Sequence, residues 1–359
     1  MKIAFLNNIP SKYRKDLFMG LYVYHKKKGN QFNVYYLSRI EKVRSEFISI
    51  EKFEEILPVL FQFRNFFSPT SDFVFNYKYI KKLLVPDKLV IFGYNYLTYI
   101  IIAIIRRIFN KENYLYCDST LNDSNKNIIK TFIKSILLKY LFKLYIVPGK
   151  RSKEYIKSFG INDDTIYIAP QYSPLKSNIK NKKIKTFKNK IKLLFVGRLA
   201  SEKNILIFSK IFNKLKLKKF TLSIVGAGPL QKSIEKISQN NHLIKYLGYI
   251  DNDRTMSKIY DDHDILILLS ESESWGLVVN EAINHSLALL LSNNVGSSPD
   301  LMNENGLILN KINEKAIENS LSIIAKNLKR MQNNSKIISL QFNRKKQLEG
   351  FNKALNVIN

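Results

Sequence analysis

Short apolar runs rich in β-branched residues recur along the chain, and helix-length segments separate them. Segments 2–6, 32–37, 87–92, 113–117, 144–147 and 165–169 are such runs, with helical spacing over 12–28, 95–109 and 126–140. A strand covered on both faces reads as a continuous hydrophobic run. Parallel neighbours also need a long crossover, which a helix supplies. The pattern therefore predicts a parallel α/β sheet. It then starts again: 191–196, 220–225, 244–247, 264–269, 287–291 and 307–309 are further strands, with a helical C-terminus from Glu314. Between the two series stand Pro170, Pro174 and the stretch 176–192, which holds eight lysines and no acid. Self-repulsion there predicts a solvated linker. The fold class expected is α/β, with two doubly wound parallel-sheet domains over 1–174 and 191–359, joined by a Lys-rich linker over 175–190. The last helix is expected to return to the first domain. Ligands of such sheets bind at the carboxyl ends of the strands.

Composition narrows the function. Hydrophobic residues make up 45% and charged residues 24%, so the chain can bury a core and is not disordered overall. A single cysteine, Cys117, rules out a disulfide framework. The four histidines, His25, His242, His263 and His285, have no metal-ligand spacing on one helical face, so no metal site is expected. Charge is the outlier: 58 basic residues against 29 acidic give +29. The excess is shared, with 28 basic and 14 acidic residues in 1–174 and 30 and 15 in the rest. Such a balance suits anionic ligands, an anionic membrane face or nucleic acid. Basic–aromatic interleaving and a helix-turn-helix are both missing, so no nucleic-acid partner is expected. The opening apolar run is too short for a secretory signal. The run 97–105 stops at Arg106-Arg107, about half a membrane span. A cytoplasmic protein is expected, one that can lie on the inner face of the plasma membrane.

Three constellations carry chemistry. Ser270-Glu271-Ser272-Glu273-Ser274-Trp275-Gly276-Leu277 runs from a strand into an acidic loop and a helix start, and Glu281 follows inside the helix. Ionised carboxylates are pure acceptors and suit sugar hydroxyls, while helix-start amides suit a diphosphate. The bland alternative is a strand–loop–helix corner with solvated acids. Gly197-Arg198-Leu199-Ala200-Ser201-Glu202-Lys203 places two bases at the end of the second domain's first strand. An arginine fork and a compact ammonium there can stabilise a departing diphosphate. Gly226-Ala227-Gly228-Pro229 resembles the start of a dinucleotide fingerprint but lacks its third glycine, so a tight turn with close backbone approach is the reading.

As an ordered set, Gly197-Arg198…Glu202-Lys203, Gly226-Ala227-Gly228-Pro229, Glu273-x7-Glu281 and Gly296 resemble the retaining glycosyltransferases of family 4, in their bacterial surface-polysaccharide type. The likeness is dense over about 191–310 and weaker over 1–190. It implies the GT-B fold, two Rossmann-like domains facing a central cleft, with the acceptor on the N-terminal one and the nucleotide sugar on the C-terminal one. It implies transfer from a nucleotide diphosphate sugar without a metal or other cofactor. The acceptor would be a saccharide or lipid-linked molecule of polysaccharide, capsule or lipopolysaccharide assembly. By the same resemblance Arg198 and Lys203 contact the diphosphate, Glu273 faces the sugar and Glu281 the ribose. Trp275, Gly276 and Leu277 present amides, Gly197, Gly226 and Gly228 also belong to the donor-binding set, and Tyr249 lies where the base packs.

The sequence also departs from that pattern. Ser286, Leu287 and Ala288 replace a Gly-x-Pro step, and Asn7 to Arg14 stands where a glycine-rich loop is often found. Asp118, after the strand ending at Cys117, is the candidate for acceptor orientation or proton handling; an N-cap aspartate is the plain alternative. Tyr94 and Asn95 are weaker candidates. Lys126, Lys130, Lys134, Lys139 and Lys143 alternate with apolar residues like an interfacial helix, and Lys26 to Lys28 and Arg106-Arg107 add charge to the same domain. A GT-B nucleotide-sugar epimerase and a basic nucleic-acid-binding protein are the competing functions.

Overall fold

The computed structural model describes residues 1–38, 49–57, 61–64, 72–75, 78–123, 128–177, 190–215 and 217–356. The linker expected over 175–190 lies outside them from 178 to 189, as does Lys126. The chain divides into two compact units, Met1–Pro170 with Arg344–Asn359, and Gln171–Asn343.

Unit 1 holds strands β1 (Lys2–Asn7), β2 (Gln31–Tyr36), β3 (Glu54–Ile56), β4 (Phe61–Arg64), β5 (Asp72–Phe75), β6 (Lys88–Phe92), β7 (Glu112–Tyr116), β8 (Leu144–Val147) and β9 (Ile166–Ile168). Helices α1 (Lys12–Lys27), α2 (Lys78–Leu84), α3 (Leu97–Ile108), α4 (Ile128–Leu141) and α5 (Lys150–Lys157) lie between them. Seven strands form a parallel sheet in the order β3-β2-β1-β6-β7-β8-β9, while β4 and β5 pair as a separate antiparallel ribbon. The order reverses between β1 and β6, the switch point of a doubly wound sheet.

Unit 2 repeats the plan with β10 (Ile191–Val196), β11 (Phe220–Val225), β12 (Ile244–Tyr246), β13 (Ile265–Leu268), β14 (Ala288–Ser292) and β15 (Gly306–Leu309). Its helices are α6 (Ile205–Leu215), α7 (Gln231–Asn240), α8 (Asp253–Asp262), α9 (Leu277–Asn284), α10 (Ser298–Leu301) and α11 (Glu314–Gln341). The sheet is parallel throughout, in the order β12-β11-β10-β13-β14-β15, and reverses between β10 and β13. Leu193, Leu194, Ile265, Leu266, Leu289 and Leu290 are wholly buried. These central strands are covered on both faces, which is why their sequences do not alternate. Segment 171–175 belongs to this unit because side chains of α9 hold its carbonyls. Asn280 Nδ2 donates to the Gln171 oxygen at 3.0 Å, and Asn284 Nδ2 to those of Ser173 and Leu175 at 3.1 and 2.9 Å.

Helix α12 (Arg344–Asn356) packs in unit 1. Phe351 is fully buried and stacks 5.7 Å from Tyr116 and 6.3 Å from Phe92. Gly350 lets the helix come this close, since a Cβ there would stand 2.4 Å from the Ile168 carbonyl oxygen. Two further contacts seat the helix: Lys88 Nζ donates to the Leu355 oxygen at 2.6 Å, and Arg344 Nε pairs with Asp16 at 3.0 Å.

Two expectations about the basic surface need correction. Arg106 is 1% exposed. Its guanidinium donates to Asn113 Oδ1 at 2.8 Å and to the carbonyls of Pro86 and Glu112 at 3.1 and 2.9 Å. It is an internal tie, held near pKa 10 by burial and still charged. Lys134 also leaves the outer face: its Nζ sits 5.1 Å over the Tyr94 ring and 3.5 Å from Tyr155 Oη. Lys143 is paired with Glu112.

Candidate active site

In unit 2 the loop 197–204 leaves the carboxyl end of β10 and the loop 269–276 leaves that of β13. They flank the switch point, where neighbouring loops diverge and open a crevice. Two bonds tie them together: Glu271 N–H donates to the Glu202 carbonyl at 2.8 Å, and Asn204 Nδ2 to the Leu269 carbonyl at 3.0 Å. Asn204 is buried and left-handed at φ 53°, a conformation asparagine tolerates better than most residues.

These ties bring Lys203 and Glu273 together. Lys203 Nζ stands 2.5 Å from Glu273 Oε2, and the two side chains are only 16% and 19% exposed. Water screens such a pair far less than a surface one. Arg198, five residues earlier on the same loop, donates to Glu202 with its side chain 55% exposed, so its fork is within reach of a ligand.

Glycines set the spacing of these loops. A Cβ on Gly226 would lie 1.9 Å from the Gly197 oxygen, and one on Gly228 2.6 Å from the Leu199 oxygen. The Gly226–Gly228 turn is thus packed directly against the arginine loop. Gly296, noted in the sequence only as part of a motif, does the same for the acidic loop. Its N–H donates to the Glu273 carbonyl at 2.7 Å, and a Cβ would meet the Ser274 oxygen at 1.8 Å. Gly276, at φ 87°, turns the chain into α9, whose first residue is Leu277 and whose first turn has no acid.

Glu281 occupies a separate position inside α9. Tyr260 Oη donates to its Oε2 at 2.6 Å and Ser173 Oγ to its Oε1 at 3.4 Å. Burial pushes this carboxyl up to about 7, and the same burial together with Glu281 pushes the Tyr260 hydroxyl well above its usual range, so it stays a donor. Neither Tyr260 nor Ser173 was legible as a partner, because both are distant in sequence and belong to no motif. The Trp275 side chain is buried, and its Nε1 donates to Asn280 Oδ1 at 2.8 Å, so any role toward a ligand falls to its backbone. Tyr249, in the turn after β12, is 59% exposed. Asp118 lies in unit 1, after β7, where its carbonyl accepts from Ser152 Oγ at 3.2 Å.

Residues 176–338 match the family model described as "Glycosyl transferases group 1". An uncharacterized 41.2 kDa protein in the cps region of Klebsiella pneumoniae is 30% identical over 125 residues, 34% of each chain. The sulfoquinovosyl transferase SQD2 of Arabidopsis thaliana is 29% identical over 112 residues, 31% of this chain and 21% of that one. The matches thus span about a third or less of these relatives. Among solved structures, HepE of Anabaena in complex with UDP superposes with a TM-score of 0.74 at 14% identity, covering 100% of both chains. That likeness supports the GT-B fold class for the two Rossmann-like units. Residues 176–338, which carry the paired Lys203 and Glu273 at the switch point and the glycines that set their loops, are thus similar to the glycosyl transferases group 1 family.

Proposed function

We propose that the chain is a retaining glycosyltransferase of cell-surface polysaccharide or lipopolysaccharide assembly, that it works without a metal, and that unit 1 rests on an anionic membrane surface. The observation that carries the enzymatic reading is the Lys203–Glu273 pair, beside the exposed fork of Arg198 and at the switch point of a group 1 domain. A nucleotide diphosphate sugar carries both groups such a pair can answer. Its diphosphate draws Lys203, Arg198 and the α9 amides, and Glu273, released from Lys203, accepts from sugar hydroxyls. The bond from the anomeric carbon to the phosphate oxygen breaks with its electron pair on the diphosphate. The acceptor hydroxyl attacks from the same face, and its proton passes to the leaving phosphate oxygen. Glu281 takes the ribose hydroxyls in place of Ser173 and Tyr260, and Asp118 orients the acceptor. HepE has been solved with UDP-glucose, which supports a nucleotide sugar as donor here, and the cps-region relative supports a surface polysaccharide as product.

Exposed apolar residues support the membrane reading. Helices α3 and α4 pack on each other, and Ile108, Phe109, Phe132, Ile133, Ile136 and Tyr140 around them are 51–69% exposed. Such a face within a chain of +29 suits anionic lipid better than water. Among the described residues no helix is long and apolar enough to cross a membrane.

The test is a thermal-shift screen of nucleoside diphosphates and their sugars, followed by transfer from the best donor with and without EDTA. The expected product keeps the donor's anomeric configuration at a rate EDTA leaves unchanged. Hydride-independent interconversion of the sugar with no transfer would instead favour the epimerase.

A further inference from the structure

The switch point of unit 1, between β1 and β6, carries a cation that the scheme above does not use. Arg14 lies in the first turn of α1, directly after β1. Its guanidinium is 4.6 Å over the Phe92 ring, with Tyr13 at 5.3 Å and Tyr116 at 5.9 Å. Aromatic faces hold the plane of a guanidinium and leave its N–H edge for a ligand. Of five N–H donors, only Nη1 has a hydrogen bond among the described residues, to Oδ1 of the fully buried Asn7. Asn7 is itself fixed, since its Nδ2 donates to the Ile9 carbonyl at 2.9 Å. Asp118 acts on Arg14 electrostatically but forms no ion pair with it. The contrast with Arg106, whose donors are spent on carbonyls, shows what a purely structural arginine looks like in this unit.

A second observation points the same way. Ser11 is the N-cap residue of α1, is 9% exposed, and its Oγ has no partner among the described residues. A serine at this position ordinarily accepts from a first-turn amide, yet α1 has no side-chain cap and no acid in its first turn. The positive end of α1 is therefore uncompensated beside a held, under-bonded cation. Asn8 and Tyr96, linked at 3.3 Å, add neutral polar groups from the loops after β1 and β6.

We propose that Arg14, Ser11 and the first turn of α1 form an anion-binding subsite for a phosphate or carboxylate carried by the acceptor sugar. The proposal rests on the transferase reading, in which the donor's charge is met in unit 2. It makes the acceptor an acidic saccharide or a sugar phosphate.

Titration calorimetry on the full chain tests it. An Arg198→Ala background weakens anion binding in unit 2, and glucose 1-phosphate, glucuronate, glucose and inorganic phosphate are the probes. At least one acidic sugar is expected to bind, and to lose about tenfold or more when Arg14→Gln is added, the worth of a charge-assisted pair. Which acid binds distinguishes phosphate from carboxylate. Affinities within twofold after Arg14→Gln would overturn the subsite, as would glucose binding as tightly as both acids. Inorganic phosphate binding as tightly as glucose 1-phosphate would overturn the acceptor assignment. Should Arg14→Gln fail to fold, Ser11→Ala gives the same readout, with several-fold weaker binding expected and no change counting against the subsite. Nucleoside diphosphate binding by the wild-type chain reports on unit 2 alone, so its absence would fail the transferase reading and not this one.

Discussion

At the switch point of unit 2 a lysine and a glutamate already neutralise each other at 2.5 Å; at that of unit 1 an arginine is left with aromatic rings and one amide oxygen. The topology is the same in both, a parallel sheet reversing beside its first strand. The chemistry differs because the loops differ. Unit 2 spends glycines, Gly226, Gly228 and Gly296, to press backbone against backbone and set an acid against a base. Unit 1 has no glycine in the loop after β1 and instead packs Phe92, Tyr116 and Phe351 beneath a cation. A balanced pair suits a ligand with both anionic and hydroxyl groups. A lone cation suits an anion.

The comparison breaks most visibly in transfer. Lys203→Ala and Glu273→Gln are each expected to slow transfer about 10²–10³-fold, the scale of losing one electrostatic contact at a developing charge. Wild-type rates in either would remove the pair from the chemistry. Next comes stability. Phe351→Ala should cost unit 1 about 3 kcal/mol, while the fluorescence transition of Trp275, the only tryptophan, stays in place for unit 2. A shift of equal size in both would show that the units unfold together.

The half-buried acid inside α9 gives a smaller and pH-dependent effect. Glu281 is held up at about 7 in the folded chain, so between its ordinary value near 4.5 and about 7 the folded state binds more protons than the unfolded one. Stability contributed by this group therefore falls as pH rises through that window. Glu281→Gln should match the wild-type unfolding free energy near pH 5 and exceed it at pH 8, by on the order of 1–3 kcal/mol, even though nucleotide affinity drops. No divergence between the two pH values would contradict the raised Glu281 carboxyl. Smallest is the surface effect. Phe132→Ser with Ile136→Ser should reduce flotation on anionic liposomes several-fold with transfer to a soluble acceptor unchanged; equal recovery on neutral and anionic vesicles of the wild type would remove docking.

Much of this was legible beforehand, for a physical reason. Buried parallel strands are continuous apolar runs, so β1, β6, β7, β10, β11, β13 and β14 read directly. Strand β3, Glu-Glu-Ile, did not, because its first carboxylate is taken up by Tyr36 Oη and the Glu51 amide, which no pattern of hydrophobicity records. In the site, Arg198, Lys203 and Glu273 stood out by their positions after strands, and Glu281 by its place in the helix that follows the acidic loop. The Glu281 partners Ser173 and Tyr260 were not recognised, since pairing across α8, α9 and segment 171–175 is a tertiary fact, whereas Arg198 and Glu202 pair only four residues apart. The basic surface misled for the same reason: Arg106 and Lys134 count as charge in the sequence, yet one is buried and the other covers a tyrosine.

The central claim is that unit 2 receives a nucleoside diphosphate between Arg198, Lys203 and Glu273. Calorimetric titration of uridine and guanosine diphosphates into the wild type, Lys203→Ala, Arg198→Ala and Arg14→Gln tests it most directly. At least one nucleotide is expected to bind the wild type and Arg14→Gln alike, and about tenfold or more weaker to the two unit 2 variants. Equal binding by all four proteins, or by none of them, would contradict the account.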